Sequence, residues 1–123
     1  MIDHFPKPIT SRKIRFALVG CGRIAQNHFA AIEHHKDHAE LVGICDIDKI
    51  ALDEAVKKTG AKPYNSLKEM LVSCKADVVI LTTPSGLHPK QTIQIAESCI
   101  SVVTEKPMAT RWEDAKRMVK ACD

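Results

Sequence analysis

The stretch Ile14-Arg-Phe-Ala-Leu-Val-Gly-Cys-Gly-Arg-Ile-Ala25 decides the fold of this chain. Its first six residues form a short, mostly apolar run of strand type, and Ala25 and Phe29 begin a helical spacing of apolar residues. The Gly-x-Gly-x-x-Ala motif joins the two. Its first glycine permits a tight turn, its second lets a pyrophosphate approach the backbone, and its small third residue keeps helix and strand close. This context favours a dinucleotide-binding turn over an ordinary strand-to-helix connection.

Asp46 strengthens this interpretation. It follows the second strand-like run, residues 41–45, about 20 residues beyond the glycine motif, where an acidic side chain accepts hydrogen bonds from the adenosine ribose hydroxyls. A 2′-phosphate at that position would be repelled by about 4 kcal/mol per pair of unit charges, at about 4 Å and an effective dielectric constant of about 20. We therefore predict that the domain binds NAD in preference to NADP.

Strand and helix patterns alternate along the rest of the chain, which is typical of a parallel sheet covered by helices. Capping boxes at Ser66/Glu69 and Thr110/Glu113 predict two helix starts, and Gly60 predicts a helix end. The pattern predicts a Rossmann-type, doubly wound α/β fold over residues 14–123, with a flexible arm over residues 1–13. Its predicted strands are residues 14–19, 41–45, 62–65, 78–81 and 102–104, and helices on both faces include residues 23–35, 48–59 and 111–122.

The composition limits the classes of partner that we expect this chain to bind. Among 123 residues, 18 Lys and Arg stand against 15 Asp and Glu, and a charge of +3 is too small to demand a nucleic-acid partner. No apolar run approaches the ~18 residues of a membrane span. Five widely spaced cysteines without a Cys-x-x-Cys pair indicate reduced thiols, and His34 and His38 lack further ligands at recognised metal spacing. We expect a cytoplasmic protein that holds no metal and contacts neither nucleic acid nor membrane.

Further polar residues follow the fourth and fifth predicted strands, at the sheet edge where open parallel sheets bind their ligands. Thr82-Thr83-Pro84 follows the fourth strand, and the simplest role for these residues is to terminate that strand. Glu105 and Lys106 end the fifth, before Pro107, which biases Lys106 toward an extended backbone. Lys106 is either a plain surface residue or a group that binds and polarises a substrate hydroxyl. His88, in the following loop, either caps the next helix or lines the cofactor site.

Taken together and in this order, Gly-Cys-Gly-Arg-Ile-Ala, Asp46, Thr-Thr-Pro-Ser-Gly-Leu-His and Glu-Lys-Pro-Met-Ala resemble the amino-terminal domain of the Gfo/Idh/MocA oxidoreductases. The resemblance covers residues 14–123, and Glu-Lys-Pro is its most specific motif. Within the family, these motifs are most similar to those of the bacterial UDP-N-acetyl-glucosaminuronate 3-dehydrogenases of surface-polysaccharide (O-antigen, lipopolysaccharide) synthesis. The resemblance implies an NAD-dependent dehydrogenase that oxidises the 3-hydroxyl of a nucleotide sugar. Another sugar or polyol substrate, or a stand-alone nucleotide-sensing domain, is the alternative.

The resemblance also implies a role for each matching residue. Lys106 would lie between nicotinamide and substrate as the catalytic residue of this domain, and Glu105 would hold the nicotinamide ribose. Family members are about three times longer and form their substrate pocket, and supply a catalytic Asp and His, from a second domain. We therefore expect this domain to be inactive alone and the full-length protein to form homo-oligomers through that second domain. The implied contacts are Gly20, Gly22, Arg23 and Ile24 with the pyrophosphate, Asp46 and Ile47 with the adenosine, and Thr82, Thr83, Pro84 and His88 with the middle of the cofactor.

Overall fold

The computed structural model describes residues 7–123. Strands and helices alternate throughout, with a single 3₁₀ turn at Ser85–Leu87 before the fourth helix. The strands are β1 (Ile14–Val19), β2 (Ala39–Cys45), β3 (Lys62–Tyr64), β4 (Val78–Leu81) and β5 (Ser101–Thr104). The helices are α1 (Ala25–His34), α2 (Lys49–Thr59), α3 (Leu67–Ser73), α4 (His88–Glu97) and α5 (Trp112–Cys122).

All five strands join one parallel sheet in the order β3-β2-β1-β4-β5. The chain moves outward from β1 to β3, then returns to the other side of β1 for β4 and β5. The strand order therefore reverses between β1 and β4, and at this point the loops that leave the two strands diverge and open a crevice. The predicted Rossmann-type fold of about five parallel strands is confirmed.

Apolar side chains leave the sheet on both faces, as the alternation along β1 illustrates. Ala17 and Val19 belong to one buried cluster, together with residues of α3 and α4. Leu18 points to the opposite face and joins a second cluster with residues of α1 and α2. Both faces of the sheet are thus covered by helices, which explains why the central strands are continuously apolar.

Two predicted helix boundaries are confirmed by the local geometry. The Ser66 hydroxyl accepts a hydrogen bond from the Glu69 amide at 3.1 Å and opens α3. Gly60 ends α2 in the left-handed conformation, with φ of +73°, which a residue without a Cβ adopts at little cost.

The capping box predicted at Thr110 and Glu113 is wrong. The extended backbone of Arg111 makes that residue the N-cap of α5, and no side chain caps this helix start. Thr110 therefore lies one residue too early to reach the first turn, and Glu113 occupies the second helical position instead of the third. Its carboxylate still lies near the positive end of the helix dipole.

A bidentate ion pair ties the segment before β1 to the start of β4. The two guanidinium nitrogens of Arg12 lie 2.6 and 2.8 Å from the two carboxylate oxygens of Asp77. The Arg15 amide donates to the same carboxylate at 2.8 Å. These contacts, led by the hydrogen bond from Arg12, lower the pKa of Asp77 from 3.8 to about 2. Arg12 falls within the predicted arm, of which residues 1–6 lie outside the described residues.

This ion pair predicts an acid-dependent contribution to stability. Because folding lowers the pKa of Asp77, its contribution is complete above pH 3.8 and is lost as the pH falls toward about 2. Asp77→Asn should therefore lower the melting temperature by a few degrees at neutral pH, and urea midpoints of the two proteins should converge between about pH 4 and pH 2. Glu40→Gln is the matched control, since Glu40 lies 3.8 Å from Arg15 on the exposed surface. A constant gap across this pH range would contradict the assignment.

Candidate cofactor site

A crevice of about 420 Å³ opens at the carboxyl edge of the sheet, over the point where the strand order reverses. The ends of β1 and β2, the residues that follow β3 and β4, and the first turn of α4 form its walls. A groove of about 390 Å³ at the amino edge, between α1 and β2, contains none of the motif residues. The predicted site residues that line the crevice are Gly20, Gly22, Asp46, Ile47, Thr82, Thr83 and Pro84.

The turn after β1 is locked between its two neighbouring strands. The Gly20 amide donates to the Cys45 carbonyl at 2.8 Å, and the Thr82 hydroxyl donates to the carbonyls of Val19 and Gly20. Gly20 has a φ of +94°, and a Cβ at this position would lie 2.7 Å from the Thr82 carbonyl oxygen. Glycine is therefore required here by the fold itself. The Thr82 hydroxyl already binds this turn, so a contact between Thr82 and the cofactor stays a prediction.

Gly22 differs from Gly20, because nothing in the described chain requires it. A Cβ at Gly22 would meet no atom within 4 Å, and the backbone φ is not of the left-handed type. It opens the turn into α1, whose first turn receives no hydrogen bond from a capping side chain among the described residues. The amides of Gln26 and Asn27 donate to the carbonyls of Arg23 and Ile24, so the amides that precede them, together with the helix dipole, make this a favourable position for an anion. The space beside Gly22 is thus available to a ligand phosphate.

Asp46 holds the turn and faces the crevice at once. One carboxylate oxygen accepts from the Cys21 amide at 2.7 Å, and the other accepts from the Asp48 amide at 2.8 Å. Asp48 in turn caps α2, since its side chain accepts from the amides of Ile50 and Ala51. Each carboxylate oxygen has a second lone pair, so the fixed carboxylate can still accept from a vicinal diol.

The cysteine inside the glycine motif is chemically quiet. Burial raises the pKa of Cys21 to about 12 and that of Cys45 to about 11, and the nearby Asp46 carboxylate raises both further. A thiolate is therefore scarce at neutral pH in either residue. Both side chains act as small apolar groups behind the turn.

His88 bridges two loops beside the crevice. Its side chain is 1% exposed, with Nε2 2.8 Å from the Thr83 carbonyl and Nδ1 3.1 Å from the Pro107 carbonyl. It is the first residue of α4 and its ring contacts no amide of that helix, so the predicted capping role is wrong. The ring instead joins the loop after β4 to the loop after β5.

The loop after β5 carries the remaining predicted residues. The Glu105 amide donates to the Leu81 carbonyl at 3.1 Å, and one oxygen of its carboxylate lies 2.7 Å from His28 Nε2. Lys106 follows on the exposed surface. Arg23 and Ile24 lie at the start of α1, exposed and outside the lining of the crevice.

Several residues in this region escaped sequence reasoning. Gln91 lies in the first turn of α4, where its side-chain oxygen accepts from the Thr83 hydroxyl at 2.6 Å. The sequence feature that indicates Gln91 is its position three residues after His88, on the same face of the helix. The crevice is also lined by Asn65, Ser66, Leu67 and Leu87. The sequence predicts Ser66 only as a helix cap, although the β3-to-α3 turn lies at the same sheet edge.

A glycine-rich turn, an acidic residue at the end of β2 and a crevice at the switch point define a dinucleotide-binding α/β domain. Residues 14–123 match the Gfo/Idh/MocA oxidoreductase family, described as an oxidoreductase family with an NAD-binding Rossmann fold. The chain belongs to this family, and it is the NAD-binding domain. No helix among residues 7–123 is long and apolar enough to cross a membrane.

Two solved structures resemble the chain strongly. The WlbA dehydrogenase of Chromobacterium violaceum, solved with NADH and UDP-GlcNAcA, is 62% identical with a TM-score of 0.96, covering 98% of this chain and 35% of that one. The Bordetella pertussis WlbA dehydrogenase, with the same ligands, is 62% identical with a TM-score of 0.92, covering 94% and 34%. D-glucoside 3-dehydrogenase of Escherichia coli is 31% identical, and the match covers 94% of this chain and 32% of that protein. The chain spans about a third of each protein's length.

The residues present fit NAD. The open space beside Gly22 and the uncapped start of α1 suit its pyrophosphate, and the fixed Asp46 carboxylate suits its adenosine ribose. In the strand order, β1 and β4 lie between β2, which ends before Asp46, and β5, which ends before Glu105. Neighbouring strands are about 4.8 Å apart, so β2 and β5 are separated by about 14 Å, which an extended dinucleotide can span.

Replacement by alanine should have opposite effects at the two motif glycines: it should lower stability at Gly20 and cofactor affinity at Gly22. Gly20→Ala should lower the free energy of unfolding by about 1–3 kcal/mol, because it combines a positive φ with a clash against the Thr82 backbone. Gly22→Ala should change it by less than about 0.5 kcal/mol, since no protein atom is near, yet weaken NAD binding about tenfold or more. Urea denaturation and NADH titration check both. A Gly22→Ala variant with unchanged NADH affinity would contradict the phosphate assignment.

Proposed function

We propose that this chain is the cofactor domain of a dehydrogenase that oxidises the 3-hydroxyl of UDP-N-acetyl-glucosaminuronic acid with NAD. The strongest support is the 62% identity, over 98% of the chain, to a dehydrogenase solved with NADH and UDP-GlcNAcA. The identity to D-glucoside 3-dehydrogenase is only 31%. This difference favours a nucleotide-sugar acid over another sugar as substrate. Because the 62% match is to a dehydrogenase, it also favours the proposal over a stand-alone nucleotide-sensing domain.

The cofactor contacts follow from the strand order. Gly20, Gly22 and the start of α1, with Arg23 and Ile24, would hold the pyrophosphate. Asp46 and Ile47 would hold the adenosine, and the exposed Ile47 side chain, 98% accessible, offers an apolar surface for the adenine ring. Thr82, Thr83 and Pro84 line the crevice and would contact the middle of the cofactor. Glu105 would accept from the nicotinamide ribose.

Lys106 would act on the substrate. Bound NAD supplies the hydride acceptor, so the sugar carbon is oxidised while its hydroxyl proton must leave. An ammonium group beside that oxygen stabilises the negative charge that develops as the proton departs. Removal of the proton itself suits a histidine with a pKa near neutrality, which the family resemblance assigns to the second domain. Lys106 therefore polarises the hydroxyl and is not the sole base.

The wider setting is part of the same proposal. A UDP-sugar acid is a precursor for surface polysaccharide, so the enzyme would serve lipopolysaccharide synthesis in the cytoplasm, where its cysteines stay reduced. We further propose that the full-length protein assembles as a homo-oligomer through its second domain, and that its partners are small molecules rather than nucleic acid or membrane.

Cofactor choice tests the assignment of Asp46. The chain should bind NADH at least about tenfold more tightly than NADPH, a difference of about 1.4 kcal/mol, because the carboxylate repels a 2′-phosphate. Asp46→Ser should narrow this preference. It should also weaken binding of both cofactors, since it removes the acceptor that fixes the Cys21 amide. Fluorescence titration measures both, and equal or tighter binding of NADPH to the natural chain would overturn the assignment.

Lys106→Ala in the full-length enzyme tests the chemistry. Turnover should fall by about 10²-fold or more, while NAD affinity stays within about twofold, because the ammonium acts on the substrate oxygen in the transition state. The 123-residue chain alone should bind NADH without oxidising the sugar. Steady-state kinetics and cofactor titration decide the matter. Unchanged turnover in the variant, or dehydrogenase activity from this chain alone, would show that the chemistry is elsewhere.

A further inference from the structure

A histidine of the first helix contacts the carboxylate after the last strand. His28 Nε2 lies 2.7 Å from one oxygen of Glu105, and the two side chains are 23% and 29% exposed. A carboxylate can only accept a hydrogen bond, so the proton of this contact is on His28 Nε2. The contact uses one lone pair of one oxygen, so the second carboxylate oxygen of Glu105 keeps both of its lone pairs for another donor.

The two residues differ in how firmly the fold holds them. The backbone of Glu105 is fixed, because its amide donates to the Leu81 carbonyl at 3.1 Å. Its side chain has three rotatable bonds, and on a strand end it would sample many rotamers. His28 is anchored in α1 between the buried residues Ala25 and Phe29, and its ring has only two rotatable bonds. The helix can therefore select one rotamer of the carboxylate.

We propose that His28 is a positioning residue for the nicotinamide-ribose end of the cofactor site. It holds one oxygen of Glu105 so that the other is presented to the ribose hydroxyls. This inference rests on the proposed function, which assigns Glu105 to that ribose. The contact also gives the first turn of α1 two proposed roles: its leading amides face the pyrophosphate, and His28, at the end of the same turn, orients the carboxylate that binds the nicotinamide ribose.

The test compares two probes that differ at this end of the cofactor. NADH contains the nicotinamide ribose, whereas ADP contains only adenosine and the two phosphates. His28→Ala should weaken NADH binding by about fivefold or more, as expected for a lost hydrogen bond to a charged group, and leave ADP binding within twofold. His28→Gln should restore NADH binding, because its amide nitrogen lies close to the position of Nε2. His34→Ala, on the exposed last turn of the same helix, is the matched control.

A double-mutant cycle with Glu105→Ala, which removes the acceptor altogether, then isolates the route of the effect. If His28 acts through the Glu105 carboxylate, His28→Ala should cause no further loss of NADH affinity in the Glu105→Ala background. If His28→Ala does not fold, His28→Asn replaces it, since the shorter amide falls short of the carboxylate.

The outcomes separate this inference from the proposal on which it rests. Natural chain that fails to bind NADH overturns the proposed function. NADH binding that is unaffected by His28→Ala overturns only the positioning role. Parallel weakening of NADH and ADP, without rescue by His28→Gln, would show that the pair serves merely to join α1 to β5, and this result too overturns the inference.

Discussion

The site depends on one tight turn, formed by the residues after β1, which the ends of the two neighbouring strands β2 and β4 hold in place. Gly20 donates to the end of β2 and accepts from the Thr82 hydroxyl at the end of β4, while the Asp46 carboxylate accepts from the Cys21 amide. A side chain at Gly20 could not coexist with the Thr82 backbone. The same contacts that close the sheet at its centre therefore fix the direction in which α1 presents its first amides.

This arrangement gives several residues two tasks. Asp46 positions the turn and presents a carboxylate to the crevice, so its proposed role in cofactor choice would be coupled to stability at the same residue. The Thr82 hydroxyl hydrogen-bonds to the turn, and the His88 ring hydrogen-bonds to two loops. The groups left for ligands are chiefly backbone amides, the Asp46 carboxylate and the pair of His28 and Glu105. Recognition by fixed backbone groups needs little reorganisation when the cofactor binds.

The sequence predicted those parts whose chemistry is local. Gly20, Gly22 and Asp46 could be found because a turn, a close approach and a strand end each demand a particular residue type. The contact of His28 with Glu105 could not, since 77 residues separate the partners and only the strand order brings them together. The cap at Thr110 failed for the opposite reason, because a shift of one residue in the helix start is enough to abolish it.

We propose that a dinucleotide lies along the carboxyl edge of the sheet, with its pyrophosphate against the first turn of α1. An amide nitrogen–proton correlation spectrum of the chain, recorded during titration with NADH, tests this placement. We expect the largest chemical-shift changes at residues 21–25 and 46–48, with smaller changes near Thr83 and Glu105. Shifts concentrated in the groove between α1 and β2 at the amino edge, or no saturable shifts, would contradict it.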